Sequence, residues 1–353
     1  MQFMSKERII TYREALDEAL VQGMENDPEV FVMGCGVNDE GGIFGSTKGT
    51  YQKFGKDRVM DVPLSENAIA GIGIGAAIMG KRPVIVHARN DFLLLAMDQI
   101  VNHAAKWEFM SGEKLHCPML VRAIVGRGWG QAAQHSQSLQ ALFSHVPGLK
   151  VVLPACAHDA KGLLLGSLRE SGPVISIEHR LLYETRSPVP ETLYSLALGK
   201  GIVRRPGQNL TIVAFSYMVK ESMEAAEKLH EQGIDVEVVD PRCSSPLDMK
   251  TILDSVRKTR KVIVADTGWT SFGISAEITT RIYDACLSML EAPVQRVALP
   301  DINTPCSSNL EQEFYPGVDD LVRTGMQLMG QHAGQDITIR SQSTQHSNFQ
   351  GPF

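Results

Sequence analysis

The sequence predicts a two-domain α/β protein with a parallel sheet in each domain, and three observations carry that prediction. Short apolar runs alternate with helical patterns along most of the chain, the rhythm of strand–helix–strand units. The 353 residues, 43% of them hydrophobic, exceed the comfortable size of one core. Between two such rhythms, Leu181 to Leu198 shows little periodicity and contains Pro188 and Pro190, as the approach to a linker does.

The first element is a helix. Thr11 followed by Glu14 reads as a capping box, and apolar positions recur at Leu16, Ala19, Leu20 and Met24. Strands are then expected over Val30 to Met33, Arg58 to Val62, Pro83 to Ala88, Met119 to Val125, Leu149 to Leu153 and Pro173 to Glu178. The later half gives strands at Leu210 to Phe215, Asp235 to Val239, Lys261 to Ala265 and Val294 to Leu299. Helices at Val219 to Gln232, Leu247 to Lys258 and Ile274 to Met289 separate them. The resulting division is a first domain over 1–190, a linker over 191–205, a smaller α/β domain over 206–329 and a polar, mobile tail over 330–353.

A net charge of −6 offers no electrostatic reason to expect nucleic acid or an anionic membrane. The six cysteines show no CxxC spacing for zinc or redox work and read as scattered thiols suited to a reducing cytoplasm. Met1 to Arg13 mixes charges with apolar residues, so neither a signal peptide nor a membrane span is expected.

Two segments carry the chemistry. In Asp61 to Ala77, Pro63 ends a strand, Ser65 is expected to cap a helix that begins near Glu66, and small residues at 68, 70, 71, 73, 75, 76 and 77 let a backbone or a flat ligand approach. Glu66 therefore reads either as an aimed carboxylate or as a capping residue on a packed helix. In Gly126 to Ser138, a flexible loop after an apolar strand ends at His135 among amides and hydroxyls. Open α/β sheets place ligands at such strand ends, although a structural histidine is the plainer alternative. Two further patterns are set aside. Gly71-x-Gly73-x-x-Ala76 lies inside a helical pattern rather than at a strand-to-helix turn, and His87, His103 and His116 lack metal-ligand spacing. These histidines are expected to face solvent or to be hydrogen-bonded.

Collinear blocks name a family. Pro63-Leu64-Ser65-Glu66, Arg82-Pro83-Val84, Met97-Asp98-Gln99-Ile100-Val101-Asn102, Gln134-His135-Ser136-Gln137-Ser138 and His145-Val146-Pro147-Gly148-Leu149-Lys150-Val151-Val152 stand in order. Asp159-Ala160-Lys161-Gly162-Leu163-Leu164 and Glu291-Ala292-Pro293-Val294 extend the set. With them the chain, from about Ile10 to Met329, resembles the β subunit of the thiamine-diphosphate-dependent first component of 2-oxoacid dehydrogenase complexes. The resemblance implies a transketolase-like pyrimidine-binding domain followed by a smaller transketolase C-terminal-like domain.

Enzymes of that kind hold the cofactor's diphosphate and its magnesium with a Gly-Asp-Gly motif, which is absent here. The resemblance therefore implies an α subunit, in an α2β2 heterotetramer, that supplies diphosphate and magnesium binding, while this chain supplies the aminopyrimidine half. It places Glu66 against the far pyrimidine nitrogen, where a hydrogen bond favours the imino tautomer that takes up the thiazolium proton. Phe92 packs on the pyrimidine, with an ordinary core Phe as the alternative, and His135 faces the reacting centre as a donor to developing negative charge. The resemblance also brings a structural potassium held by main-chain oxygens near Met119, Ser167, Leu168, Glu170 and Gly172, where the side chains here differ from the family's.

The clearest departure is His87-Ala88-Arg89-Asn90-Asp91-Phe92, where many dehydrogenase β subunits have a Gln-Phe or Met-Thr pair before the aromatic. Arg89 is read either as a surface salt-bridge residue or as a fork of donors for an anionic or hydroxylated acceptor, with Arg127 and Trp129 enlarging the same pocket. The expected chemistry is decarboxylation of a small 2-oxoacid, with pyruvate favoured. Transfer then goes to the lipoyl arm of an acyltransferase partner or, in carboligation, to a carbonyl such as a keto sugar. A split transketolase needs a phosphate-binding cluster that the residues do not reveal, and a non-catalytic scaffold needs neither Glu66 nor His135.

Overall fold

The structure, a computed structural model, describes residues 8–128 and 130–331. Trp129, and the expected tail from residue 332 on, lie outside the described residues. Strands follow the chain as β1 (Ile9–Thr11), β2 (Val30–Gly34), β3 (Val59–Asp61), β4 (Arg82–His87), β5 (Leu120–Val125), β6 (Lys150–Val152), β7 (Val174–His179) and β8 (Arg186–Pro188). They continue as β9 (Ile202–Arg205), β10 (Leu210–Ala214), β11 (Val236–Asp240), β12 (Cys243–Ser245), β13 (Val262–Trp269) and β14 (Gln295–Leu299).

Two compact units hold these elements. The first, residues 8–126, 138–200 and 242–247, contains a seven-stranded sheet in the order β12-β6-β7-β5-β4-β2-β3. Its strands are parallel except β12, which pairs antiparallel with β6 at one edge. Every residue of β5 and β7 is buried, as a sheet covered on both faces requires. The second unit, residues 127–128, 130–137, 201–241 and 248–331, contains a five-stranded sheet in the order β14-β13-β10-β11-β9, parallel except at β9.

The helix Tyr12–Asn26 begins with the expected box: Glu14 N donates to Thr11 Oγ1 at 3.2 Å, and Thr11 N donates to Glu14 Oε2 at 2.7 Å. Leu16, Ala19, Leu20 and Met24 are all buried. The expectations fail where pairing is non-local. Within Leu181 to Leu198, read as an irregular approach to the linker, β8 pairs antiparallel with β1. β9 falls in the stretch read as linker, and the short polar β12 has no periodicity to announce it. Ser65 stands at the start of the helix Glu66–Ile78, but its side chain makes no capping hydrogen bond, so the expected cap is absent.

Two features brace the first sheet. Arg122 on β5 and Glu178 on β7 are fully buried and paired in a fork, Nε to Oε1 at 2.6 Å and Nη2 to Oε2 at 2.9 Å. Tyr183 Oη donates to the same carboxylate at 2.6 Å, and Arg122 Nη2 donates to Ser46 Oγ at 2.9 Å. Just before Ser46, residues Gly42, Ile43, Phe44 and Gly45 have φ of +41°, +36°, +57° and +86°, a left-handed turn. Such a turn costs ~1–2 kcal/mol for each non-glycine residue, so its surroundings must hold it. The guanidinium carbons of Arg180 and Arg89 lie 4.7 and 5.1 Å from the centre of the Phe44 ring, and cation–π attraction is one such restraint.

Candidate functional site

Parallel register brings strand ends together in the first unit. Gly34 at the end of β2 lies opposite Asp61 of β3 and Val86 of β4. After Pro63 the chain enters the helix Glu66–Ile78, whose Gly73 allows close approach to the sheet: a Cβ there would meet Ile85 Cδ1 at 2.8 Å and Met33 Cε at 3.1 Å. Side chains alternate along a strand, so His87 shares the face of β4 on which Ile85 meets this helix. Between strand ends and helix start opens a cleft of about 100 Å³, with Gly34, Cys35, Pro63, Glu66, His87 and Phe92 among its walls. The remaining wall is largely apolar, including Val62, Ile69 and Ile85.

The cleft joins two of the residues singled out in the sequence, Glu66 and Phe92, both half-buried. Arg89 is not a surface residue. It is 7% exposed, behind the wall that Ala88 forms, and its Nη1 donates to Ala88 O at 2.6 Å. Burial lowers its pKa, and the charge of Asp91 opposes that shift. Cys35 lines the wall as a thiol: desolvation, then the charges of Asp61, Asp39 and Glu66, raise its pKa.

His87 departs most from expectation. It is neither solvent-facing nor hydrogen-bonded through Nε2: the residue is 7% exposed, and that nitrogen is buried without a protein partner. Burial pushes its pKa from the ordinary 6.5 down to about 4, so the imidazole is neutral near neutral pH. A period-two reading of Pro83 to Ala88 carried the signal, because it sets His87 beside the inward Ile85.

Arg127 and His135 belong to the second unit. The guanidinium carbon of Arg127 lies 4.1 Å from the Tyr315 ring centre and 5.2 Å from that of Tyr217, so two aromatic faces fix it. The loop beyond it bends through positive φ at Gly128, Gly130 and Ala132 to a half-buried His135 and a buried Ser136. Trp129 lies outside the described residues.

The oxygens suggested for potassium are engaged otherwise. Arg82 Nη1 donates to Leu168 O at 2.9 Å and to Glu170 O at 3.1 Å, while Val174 N takes Met119 O and Glu170 N takes Ser167 O. Each of these four oxygens accepts one hydrogen bond, and Arg82 brings its guanidinium to two of them. Among the described residues no group of three or more His, Cys, Asp or Glu side chains is placed to hold a metal.

Residues 8–186 match the family model of the transketolase pyrimidine-binding domain, and residues 199–321 that of the transketolase C-terminal domain. Over 318 residues the chain is 41% identical to the pyruvate dehydrogenase E1 component subunit beta-1, mitochondrial, of Arabidopsis thaliana, covering 89% of this chain and 88% of that protein. The chain belongs to the 2-oxoacid dehydrogenase β-subunit family. A second relative, at 38% identity over 338 residues, is the acetoin:2,6-dichlorophenolindophenol oxidoreductase subunit beta of Bacillus subtilis, with 92% of this chain and 99% of that protein covered. A split gene transketolase, solved as an inactive beta4 tetramer, superposes with a TM-score of 0.70 at 23% identity, covering 91% of this chain and 98% of that one. At that identity the likeness concerns the fold.

For a member of this thiamine-diphosphate-dependent β-subunit family, the cleft fits an aminopyrimidine: an aromatic face, a carboxylate, apolar walls and a buried nitrogen without a partner in one place. The described residues include no helix long and apolar enough to cross a membrane.

His87 gives the protein an acid limb. The unfolded chain takes up a proton near pH 6.5 and the folded chain only near pH 4, so stability is full above the first value and falls as pH drops towards the second. At ~1.4 kcal/mol for each pH unit between them, the limb amounts to about 3 kcal/mol. Urea unfolding at a series of pH values is expected to show wild type losing stability relative to His87→Phe on acidification. Parallel pH profiles for the two proteins would contradict a neutral buried imidazole.

Proposed function

We propose that this chain is the β half of a thiamine-diphosphate-dependent enzyme that decarboxylates a small 2-oxoacid, with pyruvate favoured, and passes the two-carbon unit to an acceptor. The observation that carries the reading is the cleft uniting Glu66 and Phe92 where a strand gives way to a helix. Bound cofactor supplies an electron sink for the charge left by loss of carbon dioxide. The chain's own residues hold and protect the ring. Phe92 packs on its face, the Glu66 carboxyl group exchanges a proton at a ring nitrogen, and Val62, Ile69 and Ile85 keep water from the cleft. The resemblance gives His135 the role of donor to the substrate's developing negative charge.

The resemblance, with no Gly-Asp-Gly motif in the sequence, assigns diphosphate and magnesium to an α subunit, and an α2β2 heterotetramer is the proposed active form. Six cysteines without a disulfide among the described residues support a reducing compartment such as the cytoplasm.

Two acceptors remain in view: the lipoyl arm of an acyltransferase and a small carbonyl compound. Identity to a pyruvate dehydrogenase subunit supports pyruvate as the donor, and the acceptor is a separate question. Product analysis after pyruvate turnover, with lipoamide or an aldehyde supplied, separates the two acceptors.

The split site itself is tested by calorimetry. The full chain alone is expected to bind thiamine diphosphate weakly, with little dependence on magnesium, and addition of the α subunit to create tight, magnesium-dependent binding. Tight, magnesium-dependent binding by this chain alone would overturn the reading.

A further inference from the structure

The reading of the cleft as an aminopyrimidine site leaves His87 unexplained. It lines the cleft, lies at the end of β4 on the face that meets the helix of Glu66, and has its Nε2 buried without a protein partner. A buried polar atom without a partner is unfavourable, and native structures retain few of them. An ordinary core histidine would be hydrogen-bonded, and a surface one would be solvated; His87 is neither. Nor is it set out as a metal ligand, since no cluster of ligating side chains surrounds it among the described residues.

We propose that His87 is a recognition residue of the cleft, its neutral imidazole making through Nε2 a hydrogen bond to the edge of a nitrogen heteroaromatic ring held by Glu66 and Phe92. This rests on the aminopyrimidine reading of the cleft and extends it to a residue that the reading does not use. An aminopyrimidine edge offers ring nitrogens that accept and an amine that donates, so either neutral tautomer of the imidazole finds a match. Rotation about χ2, a soft torsion, brings the buried nitrogen to the cleft. Neutrality is part of the fit, because an imidazolium would offer only donors and would compete for the Glu66 carboxylate.

The test uses the full chain and thiamine, which carries the ring without the diphosphate assigned to the partner. Binding is followed by calorimetry and by two-bond proton–nitrogen spectra of ¹⁵N-histidine-labelled protein. His87→Leu is expected to weaken thiamine binding about 3- to 10-fold, the range of one neutral hydrogen bond. His87→Gln, whose amide can stand where Nε2 stood, is expected to recover most of that loss. In wild type the His87 Nε2 resonance is expected to move on saturation. An unmoved resonance overturns the proposal even if the variants fail to fold, as does wild-type affinity in His87→Leu when Glu66→Ala binds weakly. Undiminished binding in Glu66→Ala removes the aminopyrimidine reading, and this proposal with it.

Discussion

Replacing Glu66 by alanine is expected to slow deuterium exchange at the thiazolium carbon by about 10²–10⁴-fold in the enzyme reconstituted with its α subunit, the usual cost of losing one positioned acid–base group. Local structure is the reason. Pro63 halts the extended chain after β3, and Glu66 is the first residue of a 13-residue helix, with its side chain on the cleft. Glu66→Gln keeps the shape and loses the proton, so it is expected to resemble alanine in exchange rate while binding the ring better. A mere helix-terminus carboxylate would behave otherwise: its removal costs ~0.3–1 kcal/mol of stability and leaves exchange untouched. Normal folding with unchanged exchange would return Glu66 to that role.

How much of this the sequence disclosed depends on whether the determining contacts are local. The apolar runs of β2, β4, β5, β7, β10, β11 and β13 were legible because a strand buried on both faces needs apolar residues nearly throughout, whatever its neighbours. The Thr11–Glu14 box was legible because all its partners lie within four residues. In contrast, β12 contributes only Cys243 to Ser245 to the first sheet, and its pairing with Val151 and Val152 spans about ninety residues of chain with no local mark. Glu66 was legible at its strand-to-helix turn, Phe92 came from family resemblance, and both line the cleft. His87 was misread because residue type was weighed ahead of strand alternation. Arg180 was missed because nothing near it in sequence predicts that it and Arg89 converge on Phe44.

Loss of Glu178 alone is expected to destabilise the first unit by about 3–5 kcal/mol, the largest stability effect anticipated, because it leaves Arg122 charged and fully buried. Burial pulls the Arg122 pKa down, yet the charge and hydrogen bonds of Glu178 more than reverse this, so the guanidinium stays protonated while the pair is intact. The carboxylate also accepts from Tyr183, and Arg122 in turn reaches Ser46, the residue that follows the left-handed turn. Breaking the pair therefore loosens both the β5–β7 seam and the turn that carries Phe44. Removing the charges together is a different matter, because two desolvation costs vanish with the attraction. Arg122→Met with Glu178→Leu and Tyr183→Phe, which leaves no phenol without an acceptor, is expected to lie within about 1 kcal/mol of wild type or above it. Urea titration followed by hydrogen exchange of the β5 and β7 amides measures both variants. A Glu178→Gln protein as stable as wild type would show that the fork contributes nothing beyond shape, and a triple variant as unstable as the single one would show that the charges are needed for the seam to form at all.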